Sequence, residues 1–215
     1  MGEPLSNCPF WDFPSHIRYV KNVKKTDGDI AQVLTGDEGS GKSEAALTFM
    51  LYLNRRFDLN HVIFDQGDLM ETVDSLIEGG DYVFDEAGTL LFSRDHSTKE
   101  SKDSIKMFQT DRFLNLNRIF VLPDKRWIDV YLRTHRIKIW IHVTAEHTIN
   151  GIVRGKADVR WLRKFFSTDS QEIESRWEYV YEWNYSRIVD GPWRKQYLDR
   201  KKLRATENFI EAIGS

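Results

Sequence analysis

The sequence is poor in the features that would set it apart from ordinary folded proteins. It has one cysteine, Cys8, so no internal disulfide can form, and no Cys/His spacing of the zinc type occurs in its 215 residues. A reducing, cytoplasmic compartment is the expectation. No stretch reaches the roughly 20 apolar residues that a membrane-spanning helix needs, and the first residues hold no apolar signal core. Any membrane association would then come through partners. Neither sign of charge dominates: 31 basic against 33 acidic side chains exclude a uniformly basic coat protein of nucleic acid, although not a basic face. Internal repeats and low-complexity segments are absent.

What is present is the composition of a folded chain, 40% hydrophobic and 30% charged, with seven tryptophans among its aromatics. The length suits one sizeable α/β core with appendages. Residues 1–28 carry Pro4, Pro9 and Pro14, the aromatics Phe10, Trp11 and Phe13, and basic residues from Lys21 to Lys25; they read as an irregular N-terminal arm. From there apolar segments alternate with helical ones. Ile30 to Thr35 is a short apolar strand running into a glycine-rich turn, and Ala45, Ala46, Phe49, Met50 and Leu53 mark one face of a following helix. His61 to Phe64 is a second strand. A helix over Leu69 to Ile77 then stops at Gly79-Gly80, and Tyr82 to Phe84 is a third strand.

A polar stretch over 93–104 and a helix through Met107 and Phe108 towards Asn115 precede a fourth strand, Ile119 to Leu122. Ile137 to Val143 alternates Ile137, Ile139, Ile141 and Val143 against Lys138, Trp140 and His142, the pattern of a sheet edge. The expected fold is α/β, a mainly parallel sheet with helices on both faces, occupying residues 29–150. Residues 151–215 read as a small aromatic-rich C-terminal extension, with a strand over Arg176 to Tyr185 and a closing basic helix over Gln196 to Ile213.

One motif states its chemistry directly. Gly36-Asp37-Glu38-Gly39-Ser40-Gly41-Lys42-Ser43 has the G-x-x-x-x-G-K-S form, placed between a strand and an amphipathic helix. Its glycines let successive backbone N–H groups point inward, and the helix N-terminus adds partial positive charge. That concavity suits the triphosphate of ATP. Lys42 would bridge the β- and γ-phosphates, and the Ser43 hydroxyl would join the coordination shell of Mg²⁺. Asp85-Glu86 follows the third strand and, in a parallel sheet, faces the loop. Asp85 would hold Mg²⁺ through water, and Glu86 would polarise the water that attacks the γ-phosphate. Nucleotide kinases share the loop and a strand-end Asp, but they seldom place Glu directly after it.

With these parts in this order, the sequence resembles the FtsK/HerA superfamily of DNA-pumping P-loop ATPases, especially compact viral and plasmid members related to Zot. The resemblance covers most of residues 30–145. It rests on the phosphate loop, on Asp85-Glu86-Ala87, on Arg112 to Asn117, on Phe120 to Pro123, and on Arg133 to Arg136 leading into the fifth strand. Trp193, Tyr197 and Lys201-Lys202 are similar to the tail of viral members. The resemblance implies a RecA/ASCE-type sheet and a ring-shaped homo-oligomer, a hexamer or pentamer, that hydrolyses ATP to move or package double-stranded DNA in a host cell. A virion-associated location and a capsid or membrane protein partner belong to the same expectation. A Zot-like extrusion ATPase and a non-motor nucleotide switch remain the alternatives.

In such rings an arginine of one subunit reaches the γ-phosphate held by its neighbour. Arg112 is the first candidate, with Arg118, Arg94, Arg133 and Arg136 behind it. Family members often end the fourth strand with a polar sensor, whereas this chain has Pro123-Asp124, leaving Asn115 or Asn117 for that role. Lys125, Arg126 and Trp127 combine cations with an aromatic in a strand-end loop, as a backbone-tracking DNA loop would. The cations from Arg194 to Arg204 read as a solvated helix surface, with phosphate binding the alternative. His135, His142 and His147 lack a suitably spaced fourth ligand, and Trp161, Trp177, Trp183 and Trp193 read as core or subunit packing.

Overall fold

The computed structural model describes residues 8–26, 28–73, 78–87, 114–128, 130–149, 152–167, 170, 173–186 and 191–214. Seven strands form one sheet in the order β2-β3-β4-β1-β5-β6-β7. In chain order these are β1 (Ile30–Thr35), β2 (Val62–Ile63), β3 (Asp81–Phe84), β4 (Asn117–Leu122), β5 (Ile137–Ile149), β6 (Ile152–Phe166) and β7 (Ile173–Ser186). β2 to β5 and β1 pair in parallel, and β6 and β7 extend the sheet antiparallel. Every residue of β1, β3 and β4 is buried, as strands covered on both faces must be. β4 lies between the loop-bearing β1 and the acid-bearing β3, the strand order of a RecA/ASCE-type P-loop sheet.

Helices cover both faces. α1 (Phe13–Lys25), α2 (Lys42–Leu53) and the C-terminal helix α4 (Gly191–Gly214) lie over one face, where Val20, Phe49, Met50 and Tyr197 join Leu34, Val83 and Ile141 in a single core. On the other face α3 (Gln66–Val73) contributes Leu69, which packs with Ile63, Phe84, Phe120 and Leu132. Beneath α1 and α2 a buried polar network ties elements together. Asp81 accepts from Lys24 (2.7 Å), Asn54 (3.1 Å) and Asn117 (3.2 Å), and Asn117 accepts from Gln32.

Three expectations change. The supposed irregular arm holds α1: the Ser15 N–H donates to the Asp12 carboxylate at 2.8 Å, the Asp12 N–H donates to the Ser15 hydroxyl oxygen at 3.0 Å, and Pro14 sits in the first turn, where its missing N–H costs nothing. β5 is interior, hydrogen-bonded to β1 on one side and β6 on the other. Its alternation reflects an antiparallel half-sheet with one better-covered face. The chain past residue 150 continues this sheet: β6, which the sequence reading passed over, pairs with β5 from Ile149↔Ile152 to Ile139↔Trp161. The helix expected around Met107 and the polar stretch 93–104 lie outside the described residues.

Candidate functional site

The site forms where the C-terminal ends of β1, β3 and β4 meet the start of α2. Thr35 closes β1; its hydroxyl accepts from Trp140 Nε1 at 2.7 Å and shares a 2.9 Å hydrogen bond with His142 Nδ1, which braces the strand just before the loop. Gly39 (φ 73°) and Gly41 (φ 88°) adopt left-handed backbone that side chains disfavour, which turns the loop into a concave set of N–H groups. Gly41 is the N-cap of α2, and no side chain caps that end. The helix therefore presents its first amides and its positive dipole end to the cleft. Lys42 reaches back to the carbonyls of Gly36 (2.8 Å) and Asp37 (2.7 Å).

Across the cleft, β3 delivers the two acids. The Ser43 hydroxyl donates to Asp85 Oδ1 at 2.8 Å, so the paired hydroxyl and carboxylate expected from sequence do meet. Asp85 is 1% exposed, whereas Glu86 is 64% exposed and turns towards the opening. Glu86 has φ 59°, uncommon for a residue with a side chain and a form of backbone strain that clusters at functional sites. Ala87 N then bonds Val121 O, fixing the turn against β4. The donor set of Ser43 and Asp85 is all oxygen, which fits a hard cation such as Mg²⁺, and the uncapped, glycine-shaped loop fits phosphate. Both groups suit the residues present.

The remaining wall comes from the C-terminal helix, whose cations read in the sequence as a solvated surface. Arg194, Tyr197, Leu198 and Lys201 of α4 line a cleft of about 530 Å³ together with the loop, Asp85, Glu86 and Trp127. The Tyr197 hydroxyl donates to Asp85 Oδ2 at 2.5 Å. Lys201 Nζ lies 2.9 Å from Asp85 Oδ2, 3.1 Å from Glu86 Oε1 and 3.3 Å from Ser43 Oγ. Burial pushes the Tyr197 phenol well above its ordinary range, and the Asp85 charge adds to that. Burial also lowers Lys42, and the charge of Lys201 pushes in the same direction. The helix is pinned by Arg194 to Glu44 (2.9 Å), and by Arg200 (3.0 Å) and Arg204 (2.6 Å) to the buried Asp68. The spacing Arg194, Tyr197, Lys201 is that of one helix face, a signal readable in the sequence once a helix is assumed.

Other candidates land elsewhere. Asn117 pairs in register with Ile30 and Leu122 with Thr35, so Asn117 sits roughly 16 Å from the loop end of the sheet. Asn115 precedes it and bonds Glu78. Neither asparagine can sense a γ-phosphate from there. Arg118 and Arg136 both bind Asp29 at that same remote end, and Arg118 is only 1% exposed. Arg133, in the π-helical turn Leu132–Arg136 before β5, is at that end too. In the strand-end loop, Lys125 stacks over the Trp140 ring at 3.4 Å and Arg126 pairs with Asp124, so two of the expected DNA-facing cations have partners within the chain. Arg112 and Arg94 lie outside the described residues.

No protein-family model and no curated protein matches the sequence. Among solved structures the chain shows similarity at low identity. One is the N-terminal domain of zonular occludens toxin from Neisseria meningitidis, 14% identical over 71% of this chain and 95% of that one, with a TM-score of 0.43. Another is the genome packaging NTPase B204 from Sulfolobus turreted icosahedral virus 2 in complex with ATP-gammaS, 12% identical over 69% of this chain and 97% of that one, with a TM-score of 0.40. The same NTPase in complex with AMPPCP gives a TM-score of 0.39. Among the described residues, no helix is long and apolar enough to cross a membrane.

Proposed function

We propose that this chain binds and hydrolyses ATP with Mg²⁺. The observation that carries the reading is the 2.8 Å contact between Ser43 and Asp85 beneath an uncapped, glycine-shaped helix start, with Glu86 beside it. Lys42 and the loop amides would hold the triphosphate, and Ser43 and Asp85 the metal, which supplies charge neutralisation on the phosphates when bound. Glu86, exposed at the cleft mouth, would take the proton of the attacking water. In a nucleotide-binding assay paired with phosphate release, Lys42→Ala should lose binding. Glu86→Gln should keep binding and lose turnover by about 10²- to 10⁴-fold. Rapid hydrolysis by the Glu86 variant removes it as the base.

The further step, from ATPase to motor, is supported by the motif order that resembles the DNA-pumping superfamily. On that reading the chain works as a ring-shaped homo-oligomer translocating or packaging double-stranded DNA, with Arg112 completing a neighbour's site. Turnover per chain should rise with protein concentration and again with long double-stranded DNA. A rate flat in both titrations replaces the motor with a nucleotide switch. Arg112→Ala should slow turnover without weakening nucleotide binding; wild-type kinetics end its candidacy.

A further inference from the structure

Lys201 is a cation set among the oxygens of the proposed metal site. Its ammonium has three donors, and three oxygens lie within 3.3 Å of it: Asp85 Oδ2, Glu86 Oε1 and Ser43 Oγ. These belong to both proposed metal ligands and the proposed base. An ammonium and a hard divalent cation seek the same partners, anionic and hydroxyl oxygens.

The placement is specific within its helix. Arg194 binds Glu44, and Arg200 and Arg204 bind Asp68, so these cations dock α4 without touching Asp85 or Glu86. Lys202, the next residue, is exposed. Among the described cations of α4, Lys201 is the one turned into the metal site, and its flexible four-carbon stem lets the ammonium withdraw while the arginines keep the helix in place. Without a counter-ion, Asp85 would be a buried carboxylate beside a second acid, with only the Ser43 and Tyr197 hydroxyls donating to it.

We propose that Lys201 is the resident counter-ion of the divalent-cation site, competing with Mg²⁺ for Ser43 and Asp85, pairing with Glu86 in the meantime, and withdrawing when metal and nucleotide bind. The inference rests on the nucleotide reading above. In the metal-free protein the ammonium keeps the acids neutralised and the carboxylate oriented; on metal entry it is released towards the cleft mouth. The site then exchanges one protein cation for one solvent cation, so nucleotide binding needs a higher Mg²⁺ concentration than it would at a site without Lys201.

The test uses the full chain and a fluorescent ATP analogue titrated with Mg²⁺. Lys201→Met and Lys201→Gln should lower the Mg²⁺ concentration for half-maximal binding by about tenfold, and Lys202→Met should match the wild type. Midpoints equal to the wild type, or raised, overturn the competition. A second measurement needs no substitution: the Lys201 side-chain NMR resonance of the wild type should lose its carboxylate-bound shift when Mg²⁺ and a non-hydrolysable ATP analogue saturate the site. An unmoved resonance in a nucleotide-saturated protein also overturns it. If the wild type binds no nucleotide at any Mg²⁺ concentration, the ATPase reading falls, and this inference with it.

Discussion

Asp85 receives three donors, from Ser43, Tyr197 and Lys201, and each fixes a different part of its behaviour. Tyr197 is the most rigid of them, fully buried and stacked near Trp193, so its hydroxyl sets the carboxylate rotamer from a side chain that cannot itself ligate a metal through charge. Tyr197→Phe should raise the Mg²⁺ concentration for half-maximal turnover by about tenfold while leaving kcat at saturating metal nearly unchanged. Steady-state kinetics across a metal titration check this, and the direction is opposite to that for Lys201→Met. Glu86 carries a second residue-level tension. Its left-handed backbone is one that glycine adopts freely, and its ion pair with Lys201 is solvent-facing. Glu86→Gly should therefore abolish hydrolysis yet stabilise the fold by up to about 1 kcal/mol, read as the midpoint of urea unfolding.

Among the elements, α4 encloses the site while α1 packs in the core beside α2, and the two are differently legible. The capping box Asp12-Ser15 and Pro14 in the first turn are visible in the sequence, but three prolines within 14 residues read as an irregular arm because Pro more often breaks a helix. Position within a helix reverses that meaning. Asp12→Ala should cost about 1 kcal/mol by loss of the cap, measured by chemical unfolding, without altering nucleotide affinity. β6 offers a comparable lesson: Arg154, Lys156, Asp158 and Arg160 alternate with Gly155, Ala157, Val159 and Trp161, a period of two that its charges obscure. The docking of α4 was not legible. Its cations at 194, 200, 201 and 204 match acids at 44, 68, 85 and 86, distant along the chain, and a charged stripe reads the same whether it meets water or a partner.

Across the whole molecule, the N-terminal segment is tied to the antiparallel end of the sheet through His16. Its ring is fully buried, stacks on Phe10 at 4.2 Å and bonds the Tyr181 hydroxyl at 2.8 Å. Burial lowers its pKa to about 3 from an ordinary 6.5, so the folded protein holds it neutral. An unfolded chain takes up this proton below pH 6.5 and the folded chain does not, so the stabilisation is complete above pH 6.5 and is lost as pH falls towards 3. Between pH 6 and 4 the wild type should lose about 1.4 kcal/mol per pH unit more than His16→Gln, measured by urea unfolding at each pH. Equal slopes for the two proteins would remove His16 as the cause.

The phosphate loop and the Asp85-Glu86 pair were determined by sequence alone, because each is a short local pattern at the end of a strand, and a parallel sheet brings such ends to one edge whatever joins them. No such rule supports Asn117 as sensor or Arg118 as finger, since both residues open β4, at the end of the sheet away from the loop. Only the tertiary structure decided that Tyr197 and Lys201 belong to this site. They reach Ser43 and Asp85 from more than a hundred residues away, through a helix whose position depends on its pairing with Asp68 and Glu44. No periodicity along the chain encodes such a meeting; it arises from packing and charge pairing that exist only once the sheet is assembled.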